Sequence, residues 1–266
     1  MMALVHERRL PGGNAGGAVL VDGTVRRTSG LWTPAIHELL RHLEVVGFDG
    51  APRAIGFDEA GREVLSFLPG ATVGESKPWP PWVHSTAALT DVGDWLRRYH
   101  AAVADFLPSP GARWRMPGRS WQPGDVVGHN DAAPYNAVWR RDDRGLVGFI
   151  DWDFAAPCAP LFDLAFVVFS WVPLHARDVV AAEGFTDFAS RPRRLRLLLD
   201  AYGYSGSVDD VLSAVRVRIA EHIEGIQALA DGGDPLFKRL VDSGSVDGLA
   251  RALVELDQDS TMYRGS

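Results

Sequence analysis

The fold of this 266-residue chain is decided by the stretch Val126-Val-Gly-His-Asn-Asp-Ala-Ala-Pro-Tyr-Asn-Ala-Val-Trp139, which is followed closely by Gly148-Phe-Ile-Asp-Trp-Asp153. Asp131 and Asn136 lie five residues apart in a loop that leads into an apolar strand, and a second strand ends at Asp151. Carboxylate and amide oxygens on adjacent loops suit Mg²⁺, which binds a few such ligands together with phosphate oxygens. A carboxylate that does not bind the cation can accept a proton from a hydroxyl nucleophile.

The order His-x-Asp-x4-Asn, followed by an apolar strand that ends in Asp, is the pattern of the catalytic and metal-binding loops of kinases. Together with Phe162-Asp-Leu-Ala165 downstream, these motifs resemble the aminoglycoside phosphotransferase family of small-molecule kinases, which is related to choline kinases and protein kinases. The resemblance covers roughly residues 10–171. It implies an α+β, bilobal protein-kinase-like fold with a small β-rich N-lobe and a larger helical C-lobe.

The resemblance also implies roles for residues of these loops. Asp131 is expected to be the catalytic base, and Asn136 and Asp151 are expected to hold Mg²⁺ against the nucleotide phosphates. His129 and Asp163 are expected to support the loops structurally. Asp153 is either a further metal or acceptor contact or a solvated turn carboxylate. The family's Gly-Asp-Pro is replaced here by Cys158-Ala-Pro160.

The N-terminal third is predicted to bind ATP, with GTP not excluded. Its glycine-rich segment, residues 10–17, precedes a hairpin signal at Asp22-Gly23, so Gly13, Asn14 and Gly16 can bring backbone N–H groups close to phosphates. Only two of the 27 basic residues are lysines, Lys77 and Lys238, and neither follows a glycine, which excludes a P-loop.

The N-lobe therefore lacks the kinase strand lysine, and an arginine is expected in its place. Arg26 and Arg27 occupy that strand, and strand alternation allows only one of them to face the nucleotide. The Leu-Arg of many family members favours Arg26, whereas the apolar-x-basic pattern of kinases, counted from Val25, favours Arg27. Glu38 is the candidate ion-pair partner on the next helix, although the register of that helix puts the family's glutamate nearer Ile36.

The segment Glu63–Gly70 resembles the kinase hinge, where backbone groups near Ser66 and Leu68 would bind the nucleotide base. The resemblance implies a small hydroxylated acceptor, an aminoglycoside-type antibiotic or a metabolite, bound in a pocket that the C-terminal helices line. Residues 209–266 have a net charge of −5, and an acidic wall suits an acceptor with amino groups. The candidate contacts on this side are Trp152, Asp153, Glu221 and Glu224.

Composition and organisation limit the other possibilities. The net charge of −7 argues against a nucleic-acid partner. A single cysteine and the absence of an apolar run of about 20 residues predict a cytoplasmic protein without a membrane partner. The Gly, Pro and Ser residues of 69–81 suggest a boundary between an N-lobe of residues 1–69 and a C-lobe of residues 70–266. We expect a monomer or a weak dimer.

Two alternatives remain open at this point. A pseudokinase would bind nucleotide without catalysis. A haloacid-dehalogenase-like phosphatase would use Asp151, in Asp151-Trp-Asp153, as a nucleophile, but it requires a Rossmann-like sheet around this motif.

Overall fold

The computed structural model describes residues 7–10, 17–74, 76–116, 118–142 and 144–264. Within them the chain divides into two compact units that interleave along the sequence. The first comprises Met1–Glu75, Arg98–Asp131 and Tyr135–Cys158, and the second comprises Ser76–Arg97, Ala132–Pro134 and Ala159–Ser266.

The first unit contains an antiparallel sheet of five strands in the order β1-β2-β3-β5-β4. Its strands are β1 (Arg8–Arg9), β2 (Val19–Val21), β3 (Thr24–Arg27), β4 (Ala54–Phe57) and β5 (Glu63–Ser66). The β2–β3 hairpin turns at Asp22 and Gly23, both with positive φ, as the Asp-Gly signal predicts. Helix α1 (Thr33–Val45) follows the hairpin and buries Leu39, Leu40 and Leu43 completely.

Two small antiparallel ribbons complete the first unit. Strands β6 (Val126–Gly128) and β9 (Ala156–Cys158) form one ribbon, and β7 (Ala137–Trp139) and β8 (Leu146–Phe149) form the other. Gly148 of β8 lies so close to the chain at Gly50 that an added Cβ would come within 2.2 Å of the Gly50 carbonyl oxygen. This close approach fixes β8 against the segment before β4, and β8 is the strand that leads to Asp151.

The second unit is helical. Its long helix α6 (Val208–Asp231) starts with a capping box made by Ser207 and Asp210, and it packs against α3 (Pro160–Trp171). Helix α2 (Thr86–Val103) begins in this unit and ends in the first. The remaining helices are α4 (Arg177–Ala182), α5 (Arg191–Tyr202), α7 (Pro235–Asp242), α8 (Ser245–Gln258) and α9 (Ser260–Arg264).

Candidate active site

The predicted catalytic loop leaves β6 and passes through a short 3₁₀ turn, Pro134–Asn136, into β7. The Asp131 carboxylate is fixed from both sides: Oδ1 accepts a hydrogen bond from the Tyr135 hydroxyl at 2.8 Å, and Oδ2 accepts one from the Asn136 amide nitrogen at 2.9 Å. The Asn136 nitrogen also donates to the Asp131 carbonyl oxygen at 3.0 Å. The amide oxygen of Asn136 is thereby turned away from Asp131.

His129 lies beneath this loop as a scaffold. It is fully buried, and its Nδ1 accepts a hydrogen bond from the Asp131 backbone N–H at 3.3 Å. Its ring centroid lies 4.4 Å from that of Trp152 and 5.8 Å from that of Phe149. The aromatic packing and the hydrogen bond together hold the backbone at Asp131 in place.

Asp151 follows β8 in the left-handed region, with φ of 62° and ψ of 68°. This conformation is uncommon for residues other than glycine, although aspartate adopts it more readily than most, and backbone strain of this kind is often found at functional sites. The preceding backbone N–H, of Ile150, donates to the Asn136 carbonyl oxygen at 2.9 Å. This bond brings the two predicted metal-binding residues, Asn136 and Asp151, to adjacent positions.

Arg27 is the strand arginine that meets these carboxylates. Its Nη1 donates to Asp151 Oδ1 at 2.7 Å, its Nη2 donates to Asp153 Oδ1 at 2.6 Å, and its Nε pairs with Glu63. Burial by itself would lower the pKa of Arg27, but the charges of the three carboxylates outweigh that effect and raise it. The guanidinium therefore stays charged.

Arg26 points to the other face of β3, as strand alternation requires. Its Nη1 lies 3.5 Å from Asp58 Oδ2, away from Asp151. Of the two arginines that the sequence left open, Arg27 is thus the one that the fold brings to the predicted metal-binding residue.

The ion-pair partner of Arg27 is Glu63, which sequence reasoning missed. Glu63 stands directly opposite Arg27 in the β3–β5 register and is 1% exposed. Its second carboxylate oxygen lies 3.1 Å from Nε2 of His37, so helix α1 contributes a histidine where a glutamate was expected. Glu38 lies elsewhere, because its carboxylate accepts hydrogen bonds from the side chain and backbone of Ser109.

Asp153 is a buried member of the same ionic cluster, and the structure does not leave it as a solvated turn carboxylate. One oxygen binds Arg27, and the other accepts from Arg115 Nη1 at 3.0 Å. Burial raises the pKa of Asp153 and the neighbouring Asp151 adds to the rise, while Arg27 and Arg115 oppose it. Sequence reasoning missed Arg115 as well, since nothing in the irregular segment around it indicates its destination.

Trp152, a candidate acceptor contact, is a core residue that is 1% exposed. Its indole N–H donates to the Phe149 carbonyl oxygen at 3.0 Å, and its ring packs edge-on against Tyr99. Trp152 begins the short 3₁₀ turn Trp152–Phe154 directly after the left-handed backbone at Asp151, and this turn places its ring in the core.

The other predicted residues are distributed as follows. Ser66 ends β5, where its backbone N–H and its hydroxyl oxygen both bond to the backbone of Arg53, and Leu68 is half-buried. In the second unit, Asp163 is buried in the first turn of α3, Glu221 is half-buried on α6, and Glu224 is exposed on the same helix. Gly13, Asn14 and Gly16 lie outside the described residues.

The donor set fits a cation that also takes ligands from a bound phosphate. Asp151 has a carboxylate that is 38% exposed, and Asn136 uses its amide nitrogen, not its amide oxygen, to bind Asp131. Across the described ranges, no three His, Cys, Asp or Glu side chains form a group that could hold a metal ion. Mg²⁺ is commonly held in this way, by one or two carboxylates plus substrate phosphates.

Comparison with known proteins agrees with this fold and motif order. Residues 112–198 match the model of the phosphotransferase enzyme family, which includes both loops of the candidate site. The chain belongs to this family of aminoglycoside phosphotransferase-like proteins, and its fold class is the predicted kinase-like one.

A curated relative is the trifolitoxin immunity protein of Rhizobium leguminosarum bv. trifolii, which is 38% identical over 214 residues, or 77% of this chain and 78% of that protein. Among solved structures, a protein from Ralstonia eutropha JMP134 assigned as an aminoglycoside phosphotransferase has a TM-score of 0.61 at 16% identity, over 97% of this chain and 94% of its own. A mutant of aminoglycoside 2'-phosphotransferase-IIIa in complex with GDP has a TM-score of 0.59 at 14% identity, over 99% and 94%. The two structures establish the fold.

None of the described helices is long and apolar enough to cross a membrane. The sheets of the described residues are antiparallel and the fold is kinase-like, which removes the phosphatase alternative, since that chemistry at Asp151 requires a Rossmann-like sheet.

Proposed function

We propose that this protein transfers the γ-phosphoryl group of ATP, in the presence of Mg²⁺, to a hydroxyl group of a small acceptor. The observation that carries the proposal is the convergence of Asp131, Asn136, Asp151 and Arg27 in one unit. Phosphoryl transfer requires positioning and charge neutralisation rather than covalent catalysis, and these four residues are suited to both.

Asp131 is the proposed catalytic base. Its carboxylate is held by Tyr135 and Asn136, so it meets an acceptor hydroxyl without first losing rotamer freedom. It would orient the hydroxyl and accept its proton as the oxygen attacks the γ-phosphorus. His129 would maintain the loop, and Asp163 would support the start of α3.

Asn136 and Asp151 would hold Mg²⁺, which supplies neutralisation of the phosphate charge when it is bound. Arg27 is the proposed phosphate-binding cation in place of the kinase lysine, because a guanidinium can bind phosphate oxygens in a bidentate manner. The glycine-rich segment with Gly13, Asn14 and Gly16 would contact phosphates, and the backbone near Ser66 and Leu68 would contact the base. GTP is the second candidate donor.

The acidic C-terminal segment is the feature of the chain that bears on the acceptor. Glu221 and Glu224 lie on α6 in the acidic C-terminal segment, which suits an amino-bearing acceptor. The 38% sequence identity to the trifolitoxin immunity protein favours a second candidate acceptor, a toxin that phosphorylation inactivates. A pseudokinase that protects by binding remains the non-catalytic alternative. We propose that the protein acts in the cytoplasm. We propose that it is a monomer or a weak dimer.

The test is release of ADP or GDP by the purified protein in the presence of MgCl₂, screened over aminoglycosides, choline-like amines, amino acids, sugars and trifolitoxin. Asp131→Asn should reduce transfer by about 10²–10⁴-fold while nucleotide affinity stays within about twofold. Asp105→Asn, at an exposed carboxylate after α2, is the matched control and should leave the rate unchanged. Nucleotide binding without turnover on any acceptor would establish the pseudokinase instead.

A further inference from the structure

Arg115 is a second buried cation beside the candidate phosphate site. Its side chain is 9% exposed, although it belongs to an irregular segment between α2 and β6. The guanidinium carbon lies 4.9 Å from the ring centroid of Trp32 and 4.7 Å from that of Phe154. Rings that contact a guanidinium in this way restrict its orientation, and the cation–π attraction is stronger when the cation is removed from water.

Between these two rings, which we call the clamp, the Arg115 guanidinium reaches Asp153. Arg115 Nη1 donates to Asp153 Oδ2, while the other oxygen of that carboxylate accepts from Arg27 Nη2. Each oxygen of this one buried carboxylate therefore accepts a hydrogen bond from a different arginine. Arg27 in addition serves Glu63 and Asp151, so Arg27 alone would face three carboxylates.

The number of positive and negative charges in this cluster sets how strongly the carboxylates attract Arg27. With Arg115 present, five charged groups share two positive and three negative charges. Without Arg115, Arg27 would be the remaining cation beside Asp153 among these groups, and the attraction between them would increase because the carboxylate, 12% exposed, is largely removed from solvent. A phosphate that recruits Arg27 would then have to break a stronger ion pair.

We propose that Arg115 is a positioning residue for phosphate binding: by neutralising Asp153 it weakens the hold of that carboxylate on Arg27 and so makes Arg27 available to the nucleotide. This inference rests on the proposed function and adds to it a residue that contacts neither the nucleotide nor the acceptor. The role requires a permanent charge at a fixed point, which a clamped arginine supplies.

The experiment is a double-mutant cycle with nucleotide affinity as the readout. ATP, and separately GTP, is titrated into the full-length protein in excess MgCl₂ by isothermal titration calorimetry. Arg115→Gln should raise the dissociation constant by about tenfold, which corresponds to about 1.4 kcal/mol. Asp153→Asn alone should leave it unchanged or lower it. The double variant should return to within about threefold of the wild type, because the carboxylate that captured Arg27 is gone.

Three further measurements separate positioning from folding. Arg115→Lys keeps the charge and should recover at least part of the affinity. Arg113→Gln, at an exposed arginine two residues away, is the matched control and should bind like the wild type. Thermal melting of each variant reports its folded fraction at the titration temperature.

Two results would overturn the inference. One is an unchanged dissociation constant in folded Arg115→Gln, and the other is a double variant that binds as weakly as Arg115→Gln. In both cases wild-type binding still supports the proposed function. If the wild type binds neither ATP nor GTP, the proposed function itself fails and this inference fails with it.

Discussion

Replacing Arg27 by methionine should destabilise the protein substantially, because it leaves three carboxylates without their shared cation. The side chain is 17% exposed and Glu63 opposite it is 1% exposed, so the Arg27–Glu63 pair is largely removed from solvent. Removing one member of a buried charge pair costs about 3–5 kcal/mol, and partial exposure of Arg27 favours the lower end. We expect the free energy of unfolding to fall by about 3 kcal/mol, or roughly 6–12 °C in melting temperature.

The assay is urea unfolding of the variant beside Arg26→Met, which alters the neighbouring residue on the opposite face of the same strand. Arg26 has two long contacts, each of 3.5 Å, to Asp58 and to the Thr24 hydroxyl, and its side chain is 23% exposed, so its loss should cost less than about 1 kcal/mol. Adding Glu63→Gln to Arg27→Met should cost little more, because Glu63 has already lost its cation. A coupling energy of about 2 kcal/mol between the two sites is expected.

Equal destabilisation by Arg27→Met and Arg26→Met would refute this reasoning, since it would mean that the cluster adds nothing beyond an ordinary surface charge. Fully additive effects of Arg27→Met and Glu63→Gln would refute the cross-strand pair specifically. Both outcomes can be read from the same set of unfolding curves.

Two further predictions concern Trp152 and His175. Trp152→Ala should lower the free energy of unfolding by about 4 kcal/mol, because the ring packs against His129 and Tyr99 in the core. Chemical denaturation measures this loss. A change below about 1 kcal/mol would contradict the placement of Trp152 in the core. Burial, aided by the nearby charges of His222, Lys77 and Arg191, lowers the pKa of His175 to about 3. The unfolded chain binds a proton at His175 below about pH 6.5 and the folded chain does not, so the free energy of unfolding should be highest above that pH and fall towards pH 3. Between pH 7 and pH 5, His175→Gln should remove about 2 kcal/mol of the decrease seen in the wild type. Parallel pH profiles of the two proteins would contradict the assignment.

Features that depend on neighbouring residues in the chain were predictable from sequence. Asp22-Gly23 specifies a tight hairpin by its backbone preference, and the structure has that turn. The spacing of Asp131 and Asn136 fits one loop and one 3₁₀ turn, so their side chains meet as a local consequence. The motif order likewise predicted the kinase-like fold, which the comparisons confirm.

Features that depend on long-range packing were not predictable. The choice of Glu63 over Glu38 follows from the β3–β5 register, which joins residues 36 positions apart and leaves no local signature. The destination of Arg115 depends on two aromatic rings contributed by distant parts of the chain. Trp152 could not be assigned to the core because a tryptophan beside a predicted metal-binding residue has the same local pattern whether it faces inward or outward.

The replacement of a strand lysine by Arg27 is connected to the position of its counter-ion. A lysine ammonium is a compact charge on a flexible stem, whereas a guanidinium is a planar group with donors on three sides. Arg27 uses these sides for Glu63, Asp151 and Asp153, so one residue links β5 to the segment after β8. Because Glu63 pairs from the adjacent strand, helix α1 need not supply an acidic partner, and His37 binds the far side of Glu63 instead. The arginine, the strand glutamate and the helix histidine therefore form one arrangement, in which a lysine at position 27 would replace the three separated nitrogens of Arg27 by a single point charge.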